Sequence, residues 1–188
     1  MDKAPPDLVR QPAEVAWRTL ALFSVFGLAV GADREEILRW IAENNLSDKL
    51  TPRERQFIKS SSPTKQEIVD ASWYSERLVV LLWALGKLDE PPAADQQCDT
   101  ALLQKLLPPF ADITVRDFVA GALLRGDQEL IATADQLLML HWHARDGKLK
   151  ARPPSVPVDI EVIQERHHAI NWIIGYDGAP WDEVTTDT

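Results

Sequence analysis

The chain has 188 residues, 45% hydrophobic and 26% charged, which suits one globular domain able to bury a sizeable core. A formal net charge of -9 argues against nucleic acid or a membrane as partner, because phosphate affinity is built from clustered Lys and Arg. Only Pro52 to Arg55 approaches such a cluster.

Residues 1–12 carry prolines and acids where an export signal needs a basic flank and an apolar run, so they read as an N-terminal extension to one helical domain over 13–188. Thr19 to Ala32 is uncharged but falls short of the roughly 20 residues that span a bilayer, which makes it a core helix. Within it Leu20 to Val30 is apolar on every side, as is Leu78 to Leu85 further on, and these are the two expected central helices. Asp33 with Glu36, Thr51 with Pro52 and Glu54, and Thr114 with Asp117 each place a cap residue three before an acid able to bond back, so each predicts a helix start. One helix is predicted from Gln66 to Gly86. The single cysteine, Cys98, can form neither an internal disulfide nor a multi-thiolate site, which points to a cytoplasmic setting and a structural thiol. Val115, Phe118, Val119, Ala122 and Leu123 follow an amphipathic stripe ending near Gly126. Further helices are expected over Asp127 to Asp146 and Asp159 to Ile174. Breaks fall at Ser60 to Pro63, Glu90 to Ala94, Pro108 to Asp112, Asp146 to Pro157 and Tyr176 to Pro180. No alternating strand pattern with hairpin turns appears, so the class is all-α, a compact domain of about eight to ten helices.

All four histidines lie in two pairs, in LHWHARD from Leu140 and ERHHAIN from Glu165. Residues two apart on a helix are separated by about 200°, and adjacent ones by about 100°, whereas helical metal pairs share a face at i, i+3 or i, i+4. On the wheel His141 therefore joins Leu130, Ala134, Leu137 and Leu138 inside, and His143 points away. His167 sits at the edge of the Ile163, Ile170, Ile174 stripe, and His168 points outward. One histidine of each pair can meet across the two helices, but that supplies two ligands only, so neither a metal nor a cofactor is expected. A core histidine bonded to a carbonyl or carboxylate is the better reading.

The same wheels turn charges inward. Arg145 lies four after His141, Arg166 lies within the arc of Val162, Ile163, Ala169, Ile170 and Ile173, and Glu76 falls between Val69, Ser72, Val79 and Trp83. Burying these singly costs several kcal/mol each, so Glu76 is expected to pair with Arg145 or Arg166 in a buried ion network. That network either holds helices in register or floors a polar pocket. No nucleophile motif or phosphate-cradling glycine loop accompanies it, and no catalytic residue is assigned. Seven tryptophans supply core bulk, with one or two expected at the surface. Trp181, after the turn YDGAP, is expected to anchor an ordered C-terminal tail that has no regular structure.

Four stretches carry a family resemblance: WRTLALFSV from Trp17, SWYSERLVVLLWALGKL from Ser72, LHWHARD from Leu140, and ERHHAINWIIGYDGAPWDEVTTDT from Glu165. In order and spacing the sequence resembles a mainly bacterial family of domains of unknown function, numbered forty-two seventy-two. The positions matching that family's pattern are Trp73, Glu76, the LLWALG run, His141 with Trp142, Arg145, Glu165, Arg166, Asn171 with Trp172, and the WDEVTTDT ending; His143, His167 and His168 fall outside it. The resemblance implies a helical fold and a polar core of Glu76, His141, Arg145, Glu165, Arg166 and Asn171, and it carries no activity over to these residues. The functional expectation is a non-catalytic module that binds another protein, of a regulatory or immunity type, as monomer or homodimer. The alternative is a small-molecule site or enzyme built on the polar cluster.

Overall fold

The computed structural model describes residues 8–150 and 156–187. The outer part of the N-terminal extension, the middle of the break expected over Asp146 to Pro157, and Thr188 lie outside the described residues.

Helix α1 (Pro12–Ala29) buries Val15, Ala16 and every residue from Arg18 to Phe26, and α5 (Tyr74–Ala84) buries all of Leu78 to Ala84 together with its C-cap, Leu85. A helix apolar on all sides is satisfied only with neighbours all round, and these two have them. The far side of α5 meets α9 (Ile160–Ile174), whose outer side is covered by α8 (Asp127–Leu149). Around α1 stand α2 (Arg34–Glu43), α3 (Pro52–Lys59), α4 (Lys65–Ser72) and α7 (Val115–Ala120), while α6 (Thr100–Leu106) leans on α5. Short 3-10 turns occupy Ser47–Lys49, Tyr176–Gly178 and Trp181–Glu183, and no strand occurs among the described residues.

The three expected helix starts form through the expected bonds. Asp33 accepts from the Glu36 N–H at 2.9 Å, Thr114 from the Asp117 N–H at 3.1 Å, and Thr51 and Glu54 exchange bonds of 3.2 and 2.9 Å. A further capping box, Thr64 with Glu67, opens α4.

Elsewhere the packing departs from the wheels. The helix expected over Gln66 to Gly86 breaks at Trp73, whose φ of -69° and ψ of -12° start a tight turn between α4 and α5. Val69, placed on the inward face by an unbroken wheel, is therefore exposed. Burial of α1 ends at Phe26, and Val30 is exposed. Helix α7 stops at Ala120 with Gly121 as its cap, which leaves Leu123 outside the stripe and exposed. Helix α8 runs through Asp146 and Gly147 to Leu149, since helical bonding continues past the expected stop.

Irregular segments are pinned by arginine side chains. Arg125 donates to the carbonyls of Trp83, Leu88 and Asp89 at 2.7 to 3.1 Å. Arg10 donates to those of Trp172 at 3.2 Å and Ala179 at 2.8 Å, tying the chain before α1 to the end of α9. The planar guanidinium fork presents several fixed donors at once, which suits carbonyls that have no ladder partner.

Candidate functional site

The buried ion pair forms between Glu76 of α5, fully buried, and Arg166 of α9, 2% exposed. Oε2 of Glu76 accepts from Nε of Arg166 at 3.0 Å and from Nη2 at 2.8 Å, and Oε1 accepts from the Cys98 N–H at 2.7 Å. Arg166 spends its remaining capacity on the connection between α5 and α6: Nη1 donates to Pro92 O at 2.6 Å and Nη2 to Gln96 O at 3.0 Å. The pair thus joins two helices and a proline-rich loop, with every nitrogen of Arg166 partnered. Cys98 is buried beside it, and burial, together with the Glu76 charge, pushes its thiol up to about 12. A thiol held protonated is a poor nucleophile.

The other residues of the expected cluster disperse. Arg145 is exposed rather than inward: it lies toward the end of α8 and lines an open cleft with His141, Lys148 and Gln164. Glu165, adjacent to Arg166 but on another face, pairs with Arg77 of α5. Asn171 is buried and donates to Thr185 O at 3.0 Å, holding the tail.

His141 and His167 meet across α8 and α9 with their Nδ1 atoms 3.2 Å apart, both rings buried. One ring donates the N–H and the other accepts it. Burial lowers both pKa values, that of His141 also through Arg145 and that of His167, to about 4, also through His141. Among the described residues no three His, Cys, Asp or Glu side chains gather around one point. His168, expected to point outward, is buried: the tail folds back and sets Trp181 edge-on against it, with ring centres 4.9 Å apart. Burial, Arg77 and Arg18 together hold His168 neutral, with its pKa lowered to about 2.

Trp181 is 4% exposed, as expected of an anchor, although it starts a 3-10 turn where no regular structure was expected. It lies edge-on to Trp172 at 5.2 Å, and the Arg18 guanidinium stands 5.0 Å from its ring. That arginine belongs to a second buried ion pair, which wheel reasoning missed. Nη2 of Arg18 donates to both carboxylate oxygens of Glu54 at 2.8 and 2.7 Å, and Nη1 donates to Lys49 O at 3.2 Å. The only sequence signal was Arg18 at the edge of an apolar run, since Glu54 looked fully occupied as a capping residue.

Sequence reasoning also missed a surface groove of about 370 Å³ along α2. Ile37 and Trp40 of α2 and Phe23, Phe26 and Val30 of α1 line it, and Phe110 closes one side, its ring edge-on to Phe23 at 6.2 Å. Phe110 is 64% exposed and Val30 55%. The charged side chains of the lining are Asp33, Glu36, Glu43 and Arg39. A bulky Phe inside the proline-rich break was the available signal.

No helix among the described residues is long and apolar enough to cross a membrane. No curated protein and no solved structure matches the chain. A family model, described as Domain of unknown function (DUF4272), matches residues 2–184, nearly the whole length, and the chain belongs to that family.

Proposed function

We propose that this chain is a non-catalytic module, of a regulatory or immunity type, that binds another protein. It acts in the cytoplasm as a monomer or homodimer, with residues 13–188 as its working unit. The observation that carries this reading is the groove along α2, where Phe110 and Val30 stand in solvent beside half-buried Trp40. Apolar surface held open to water, rimmed by charge, is the usual form of a protein interaction site. The polar residues offer less: the Glu76 carboxylate and all three nitrogens of Arg166 are engaged within the protein. Native mass spectrometry of the tagged chain drawn gently from lysate of its source cells tests the reading. Defined complexes are expected with the natural chain and not with Phe110→Glu; no complex above background with the natural chain would remove the proposal.

The alternative, a small-molecule site or enzyme on the polar cluster, is supported by two clefts, the open one that His141 and Arg145 line and a second at Arg166. The second has a volume of about 370 Å³ and is lined by Glu90, Thr133 and Gln136. Thermal shift against a panel of polar metabolites separates the two readings. Stabilisation that is abolished by Gln136→Ala favours the alternative.

A further inference from the structure

The groove along α2 is selective in a way its apolar floor alone would not be. Its length follows one face of α2, through Asp33, Glu36, Ile37, Trp40 and Glu43, a spacing that repeats over nearly three turns and about 15 Å. That is the span of two to three turns of a partner helix. Ile37 and Trp40 lie in the middle of the face, so bulky apolar side chains fit there, while acids stand at both ends, Asp33 and Glu36 at one and Glu43 at the other. Arg39 is the single cation of the lining, and the whole chain carries a net charge of -9, so an acidic partner is repelled at the rim and over a distance.

We infer that the groove takes an amphipathic helical segment of a partner protein, with Leu, Phe or Met on one face and Lys or Arg at both ends. The inference rests on the protein-binding reading above and specifies its occupant. Apolar anchors supply the affinity by filling the floor between α1 and α2. The basic ends supply the choice of partner, because like charges at the rim would be brought together without compensation. A second copy of this chain is a poor occupant, since it would bring its own acids to an acidic rim. One wall of the groove is already in place, because Phe110 rests edge-on against Phe23.

Fluorescence anisotropy with labelled synthetic peptides on the full-length chain tests this. One peptide is helical with Leu and Phe on one face and Lys at both ends; a second has Glu in place of each Lys; a third keeps the Lys ends and has Ser in place of the apolar residues. The first is expected to bind at least about tenfold more tightly than either of the others. Its advantage over the Glu peptide should shrink as salt rises. Phe110→Glu, at a position 64% exposed, should abolish binding with only a small shift of the melting point. Glu36→Lys with Glu43→Lys should reverse the preference between Lys and Glu ends. Equal binding of the Lys and Glu peptides, or unchanged binding to Phe110→Glu, would overturn the inference. So would saturation by a cationic detergent monomer as tight as by the peptide, which would make the groove an amphiphile site. If lysate complexes persist with Phe110→Glu, the chain still binds protein but elsewhere. If neither the peptides nor any lysate protein binds the natural chain, both readings fall together.

Discussion

Replacing Glu76 by alanine tests whether the buried ion network is a structural fastener. The carboxylate is fully buried, and its removal strands two buried donors, Nε of Arg166 and the Cys98 N–H, which have no other acceptor in the network. Each stranded donor costs about 1 to 3 kcal/mol. The guanidinium keeps the carbonyls of Pro92, Ala93 and Gln96 but loses its counter-charge. The expected loss is therefore about 3 to 5 kcal/mol, a large part of a typical domain's stability. Urea denaturation followed by circular dichroism measures it, read as a lower midpoint at unchanged slope. Because the pair is shielded from solvent, the difference between variant and natural chain should be the same at low and high salt. A loss under about 1 kcal/mol with the fold intact, or one that fades with salt, would refute the reasoning and make Glu76 part of a solvated pocket.

Five further outcomes rest on the geometry of the tail, the histidines, Gly175 and Cys98. Trp181→Ala should cost about 3 to 5 kcal/mol by removing the ring between His168, Trp172 and Arg18, and deletion of residues 184–188 should lower the melting point by freeing Asn171 from Thr185; an unchanged midpoint in either would show that the tail is not an anchor. His167, lowered to about 4, and His168, lowered to about 2, bind protons more weakly in the folded chain than at the ordinary 6.5. Their effect is absent above pH 6.5; stability falls as pH drops from 6.5 toward 4, and further toward 2 on account of His168, because the unfolded chain then binds more protons. His167→Gln should flatten denaturation midpoints between pH 6.5 and 4, and an unaltered slope there would contradict the burial argument. Gly175 has φ +74°, and a Cβ there would overlap the Leu8 carbonyl, so Gly175→Ala should lose at least about 1 to 2 kcal/mol in thermal denaturation; a neutral result would mean the chain before α1 does not dock against this turn. Cys98, buried and pushed up to about 12, should resist iodoacetamide at pH 8 until urea unfolds the chain, and rapid labelling of the folded protein would show that the thiol is accessible.

Much of the helical frame was legible because its determinants are local. A Thr or Asp bonding back to an N–H three residues on needs no tertiary partner, and so Asp33, Thr51 and Thr114 mark their helices in the sequence. The all-round apolarity of Leu78 to Leu85 likewise leaves no position but the centre. Glu76 and Arg166 could be turned inward on a wheel, since each shares a face with buried apolar neighbours, and desolvation then demands that they meet. What a wheel lacks is the extent of the neighbouring element. It placed Arg145 inside, but that residue stands toward the end of α8 beside an open cleft. It placed His168 outside, and the tail returning from Gly175 carries Trp181 over that ring. The Arg18–Glu54 pair needs two segments 36 residues apart to be brought together. One side of the groove along α2 is closed only because Phe110, in a loop, comes to rest against Phe23 of α1. Helix identity was settled by bonds a few residues long, which the sequence spells out. Which face of each helix is finally covered was settled by contacts between segments far apart in the chain, and those only the tertiary structure decides.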